Sequence, residues 1–128
     1  MRKLTVDVRP GEYVIARLDP NTSVPPALFD AAFVSVTRTE EELSVVCPAG
    51  RAPDGAVTEP GWRLLTVRGP LEFTLTGIMA ALAGELAAAG VSLFALSTYD
   101  TDHLLVRDVD LARAVTALRA AGHEVCEG

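Results

Sequence analysis

At 128 residues, with 49% hydrophobic and 22% charged residues, the chain has globular composition and length for one domain or two small ones. Its 17 acidic residues outnumber 11 basic ones, for a net charge of −6. Apart from Arg2-Lys3 the basic residues are scattered singly, so the stripe that a nucleic-acid binder needs is missing. The longest apolar run, Ile78 to Ala83, is broken by Gly84 and Glu85, far short of bilayer length, which argues against a membrane protein.

Met1-Arg2-Lys3-Leu4 is basic, but Thr5-Val6-Asp7-Val8 alternates where a signal peptide needs a continuous apolar stretch, so the expected compartment is the cytoplasm. Strands are expected at Leu4 to Val8 and Glu12 to Leu18. Asp19 to Val24 reads as loop, and Pro25 to Ala32 as a short helix. Phe33 to Thr39 and Leu43 to Cys47 form a hairpin around the acidic turn Glu40-Glu41-Glu42. Ala49 to Gly61, with Pro53, Pro60 and three glycines, reads as a linker. Cys47 and Cys126 lie far apart, a pattern of reduced, packed thiols rather than of a disulfide or metal framework.

The second half alternates more regularly. Trp62 to Arg68 is β-rich and stops at Gly69-Pro70. Thr74 to Ala89 places Leu75, Ile78, Met79, Leu82 and Leu86 at helical spacing, with Gly90 as the stop. Ser92 to Thr98 and His103 to Arg107 are strands around the polar turn Tyr99 to Asp102. Asp110 is placed to cap a second helix bearing Leu111, Ala114, Val115 and Leu118, and Gly122 ends it before a last strand, His123 to Cys126. The order is β-α-β-β-α-β, an α+β ferredoxin-like unit with two helices over one face of a four-stranded antiparallel sheet.

Phe33 to Pro48 lays over Leu93 to Asp108 without a gap, with Thr37 on Ser97 and Glu42 on Asp102. Chance similarity between hairpins is one explanation. The other is duplication, giving a degenerate N-terminal unit over residues 1–60 and a complete C-terminal unit over residues 61–128.

The segments Gly69-Pro70-Leu71-Glu72-Phe73 through Gly77-Ile78, and Leu96-Ser97-Thr98-Tyr99-Asp100-Thr101-Asp102, carry a family resemblance. Together they resemble ACT-domain proteins of the CASTOR type, the cytosolic arginine sensors and their small bacterial relatives built from tandem ACT-like units. The likeness runs over about residues 62 to 121 and is only an outline before them. It implies a non-enzymatic regulatory protein that binds an amino acid between two ACT-like units and signals to a partner protein. One pocket wall would come from Ser92 and Leu93. Another would come from Leu75, Thr76, Gly77 and Ile78, and the polar contacts from Thr98, Tyr99, Thr101 and Asp102. A homodimer would supply both walls. Where the arginine-binding unit carries a glutamate, this chain has Leu75, which offers a guanidinium no acceptor, so a smaller or apolar amino acid fits better.

Each residue also has a plainer reading. Backbone N–H groups at Gly77 suit a carboxylate, yet Thr74 or Thr76 as an ordinary N-cap would account for the same residues. Asp100 and Asp102 are favoured in turns for conformational reasons, and with only His103 nearby the set is too sparse for a metal. Tyr99 either shields the hairpin or stacks on a ligand. His103 and His123 each follow a turn and are expected to face solvent. No nucleophile–base motif or phosphate loop is present, and nothing in the pattern calls for a cofactor. A scaffolding dimer with a vestigial pocket is the competing function.

Overall fold

The computed structural model describes residues 3–69 and 77–128, and divides them into two compact units. One comprises the residues up to Pro10 together with Arg63–Gly128; the other is Gly11–Trp62. The sequence pattern had assigned the first ten residues to the N-terminal unit. They group instead with the C-terminal one, because their strand is hydrogen-bonded there on both sides.

That unit holds β1 (Thr5–Val8), the second part of β5 (Val57–Val67), α1 (Ile78–Ala88), β6 (Leu93–Ser97), β7 (Asp102–Arg107), α2 (Leu111–Ala120) and β8 (Glu124–Cys126). Its strands run in the order β6-β7-β5-β1-β8. The expected β-α-β-β-α-β succession is present, but among the described residues this unit contributes five strands rather than four. β1 is inserted between β5 and β8, antiparallel to the first (Val6↔Val67, Val8↔Leu65) and parallel to the second (Thr5↔Glu124, Asp7↔Cys126).

Alternation along these strands sends Val6, Val8, Leu65, Val67, Leu104, Val106 and Val125 to one face. There they meet Leu82 and Leu86 of α1 and Ala114, Val115 and Leu118 of α2 in a single core. Ile78 and Leu111, expected inside, lie half-buried at its margin. Leu75 lies outside the described residues.

Both helices end as the glycines foretold. Gly90 (φ 76°) and Gly122 (φ 99°) adopt the left-handed conformation that L side chains resist. Val91 N donates to Leu86 O and Gly90 N to Ala87 O; His123 N donates to Leu118 O and Gly122 N to Arg119 O. Each pair of bonds is a Schellman closure, satisfying carbonyls that a helix end leaves open. Asp110 does occupy the N-cap of α2, but its carboxylate meets Arg113 at 3.4 Å instead of capping the helix.

The second unit holds β2 (Tyr13–Leu18), a 3-10 turn (Pro26–Asp30), β3 (Ser35–Arg38), β4 (Leu43–Pro48) and the first part of β5, in the order β3-β4-β2-β5. Its core is Val14, Ala16, Leu18, Leu28, Leu43, Val45 and Cys47. Among the described residues it has no α-helix. The expected linker shortens, because Val57 to Glu59 already pair with β2 (Arg17↔Val57, Ile15↔Glu59). The register then shifts between Ile15 and Tyr13, opposite Pro60 and Gly61. Pro60 has no N–H to give and Gly61 takes φ 82°, which is how a strand accommodates an irregularity that the sequence presents as punctuation.

Leu86 is fully buried beneath both helices' shared core, so Leu86→Ala should cost about 2–5 kcal/mol. Urea unfolding followed by circular dichroism measures it, with the native far-ultraviolet spectrum unchanged.

Candidate functional site

The β6–β7 hairpin pairs Leu93 with Val106 at one end and Ser97 with Asp102 at the other. Its turn closes through Thr98 N to Thr101 O (2.9 Å), with the Thr98 hydroxyl donating to the same carbonyl at 3.2 Å. Thr101 Oγ1 donates to Val67 O at 2.6 Å, which fastens the turn to the last residue of β5. Ser97 Oγ donates to Asp102 Oδ1 at 2.5 Å across the pair, fixing that carboxylate while it remains half-buried. Tyr99 stands out from the tip, 80% exposed. Thr98, Tyr99, Thr101 and Asp102 are therefore brought together, at the end of the sheet where β5 stops.

In chain order α1 follows β5. The helix has Gly77 as its N-cap, at φ 78°, and Thr74 lies outside the described residues. Gly77 has no side chain with which to cap, and the first helical bond runs from Ala81 N to Gly77 O. The N–H groups of Ile78, Met79 and Ala80 point along the positive end of the helix. Leu75 and Thr76 lie outside the described residues. Ser92 and Leu93 are at the opposite end, four residues along β6 from Ser97 or about 13 Å. Within one unit they do not join the hairpin turn.

The N-terminal hairpin carries the same turn. Thr39 N donates to Glu42 O at 2.9 Å, as Thr98 N does to Thr101 O. The matching hydrogen bonds put Thr39 on Thr98 and Leu43 on Asp102, so the gapless overlay that paired Thr37 with Ser97 is one residue out of register. A one-residue slip exchanges the two faces of a strand. Corrected, the position of Asp102 in the second hairpin is held in the first by Leu43, which is 1% exposed.

Both histidines are buried, against the expectation of solvent-facing positions. His103 Nδ1 is 3.0 Å from Thr66 Oγ1, and burial, then the Arg9 charge, pushes its pKa down. His123 accepts from Leu4 N at Nδ1 (3.1 Å) and meets Glu85 Oε1 at Nε2 (2.9 Å). Strand alternation alone could not reveal this, since each follows a turn and the covering partners are remote in sequence. On β1, Asp7 is gripped by Arg68 through two nitrogens, which holds its carboxyl below the usual carboxylate range. Arg68 also lies 3.7 Å from Cys126 Sγ. Cys47 is in the second core, where burial raises its thiol pKa. Among the described residues no three His, Cys, Asp or Glu side chains converge, and no helix is long and apolar enough to cross a membrane.

A family model for the ACT domain matches residues 57–120, and a second model, described as an N-terminal domain, matches residues 11–55. The crystal structure of protein Atu0741 from Agobacterium tumefaciens is 37% identical, with a TM-score of 0.92 over 100% of this chain and 96% of that one. The regulatory subunit of aspartate kinase from Thermus thermophilus shares the fold at a TM-score of 0.65 and 10% identity, over 91% of this chain and 97% of that one. The human protein named cytosolic arginine sensor for mTORC1 subunit 1 is 39% identical over 59 residues, 45% of this chain but only 18% of that relative. With the ACT model matching half of its residues and the Agobacterium structure matching it throughout, the chain belongs to the ACT-domain family.

Proposed function

We propose that this protein is a non-enzymatic, cytoplasmic regulatory module that binds an amino acid where two copies of its C-terminal unit meet. The observation that carries the reading is that this unit holds two chemically complementary features. Asp102 is a fixed carboxylate on the hairpin, and the Gly77 end of α1 offers N–H groups at a positive dipole. The first suits an α-ammonium and the second an α-carboxylate. Ser92 and Leu93, remote within one unit, would come from the second copy. Leu75 would line the side-chain pocket and favour a small or apolar amino acid over arginine.

The homodimer rests on β6, an edge strand bonded only to β7 among the described residues. Its five residues, Leu93–Ser97, carry no charge, whereas β3 holds Arg38 and β8 holds Glu124. Edge strands that stay solitary are usually protected by charge, and this one is not. A closed twofold pair would satisfy it. The sensor reading also takes support from the names of the relatives, an arginine sensor and the regulatory subunit of a kinase.

Light scattering at micromolar concentration should return about twice the 13.5 kDa chain mass. A strict monomer, with or without amino acid, removes the second wall from the pocket.

A thermal-shift screen of the twenty amino acids should yield at least one that raises the melting temperature, since about a hundredfold excess over Kd adds about 2.7 kcal/mol. Asp102→Asn should then weaken that amino acid by about one to two decades in calorimetry, through loss of a charge-assisted contact, without unfolding the protein. Equal affinities would take Asp102 out of the site. No response from any of the twenty would favour the scaffolding dimer.

A further inference from the structure

Away from the hairpin, one buried polar network joins three elements of the C-terminal unit. His123 follows the Schellman turn of α2 and precedes β8, with its side chain 0% exposed. Its Nδ1 accepts from Leu4 N just before β1, and its Nε2 faces Glu85 of α1. A backbone N–H can only donate, so Nδ1 is the bare nitrogen. Nε2 therefore carries the proton and donates it to the Glu85 carboxylate. The contact requires the neutral imidazole in that one tautomer.

The strand fastened in this way is short. β1 makes three register pairs with β5 and three with β8, and Leu4 O accepts Glu124 N at 2.9 Å beside the histidine bond. Leu4 itself is buried, so its N–H has no ready access to water if the acceptor is lost.

We propose that His123 is a proton-operated latch on β1: protonation of Nδ1 turns its acceptor into a donor and releases Leu4, while Nε2 stays bound to Glu85. Two donors then face each other where a hydrogen bond stood, and the start of β1 comes away from β8. Glu85 on α1 is the carboxylate that meets the ring, and it keeps an ion pair with the imidazolium. Leu4 on the β1 side presents only its backbone, and Lys3 beside it is exposed. Glu124 of β8 is turned to Thr5 Oγ1, and Arg119 of α2 is taken by Val125 O and Glu127. The opening therefore frees β1 without detaching the ring from α1.

The second buried histidine provides the contrast. Because burial and Arg9 lower the pKa of His103, its contribution is complete above the unfolded-state pKa of about 6.5 and declines as pH falls below it. That loss is global, whereas release of Leu4 is local, so a residue-resolved measurement separates them.

Amide hydrogen exchange of the intact chain, corrected for intrinsic rates, should be followed between about pH 7.5 and 5, together with the ring nitrogen shifts of His123. Protection at Leu4 should fall about tenfold or more as Nδ1 becomes protonated, while Leu104 in β7 retains its own. His123→Gln should make Leu4 protection independent of pH over this range. If that variant fails to fold, the wild-type ring shifts and the Leu4 amide still decide. A His123 ring that becomes protonated while Leu4 stays protected, or that stays neutral until the whole chain unfolds, overturns the latch.

Discussion

A strand of three residues cannot hold a sheet edge by itself, and β8 is held because β1 lies between it and β5. β1 is paired along both of its edges in that slot. The ladders run on both sides, Arg9 N and Arg68 N extend the pairing to Leu64 O and Thr5 O, and Leu4 is finished off by His123 and Glu124. The inner side chains Val6 and Val125 join the core under α2, while the outer Asp7 ties the strand to Arg68. Removing β1 would open two edges at once and take Val6 and Val8 from the core. The C-terminal unit therefore depends on residues that precede it by more than fifty positions.

What could be read from sequence divides along the same line. Elements fixed by local chemistry were legible: the two helices through their apolar spacing, their ends through Gly90 and Gly122, and the β6–β7 hairpin through its strand–turn–strand pattern. Elements fixed by pairing were not. Nothing in Thr5 to Val8 says that its neighbours are Val67 and Val125. Nothing in Pro60-Gly61, which looks like a break, says that a strand continues through it opposite a register shift. The repeat between the hairpins was visible, but its register was not. A gapless overlay aligns residue types, whereas the structural equivalence is set by which amide closes the turn.

The candidate site shows the same division. A pair of hydroxyls fastens the hairpin: Thr101 anchors the turn on Val67 O, and Ser97 fixes Asp102. Motif matching named Thr101 and Asp102 but gave no reason for Ser97, whose cross-strand bond only the register reveals. Ser92 and Leu93 were expected on a pocket wall and lie about four residues away along β6. The strand's own length keeps Ser92 and Leu93 away from the hairpin turn.

The two hairpins then differ in chemistry for a reason that their shared turn makes visible. Thr39 and Thr98 close the same loop, but the residue that follows the turn faces different demands. In the C-terminal hairpin, Asp102 is half-buried, and the Ser97 hydroxyl offsets part of the cost of holding a carboxylate out of water. In the N-terminal hairpin the equivalent Leu43 is committed to a core of seven buried residues, where an unpaired carboxylate would cost far more than any ligand contact returns. The first hairpin thus commits that position to packing, whereas the second keeps it a half-buried carboxylate.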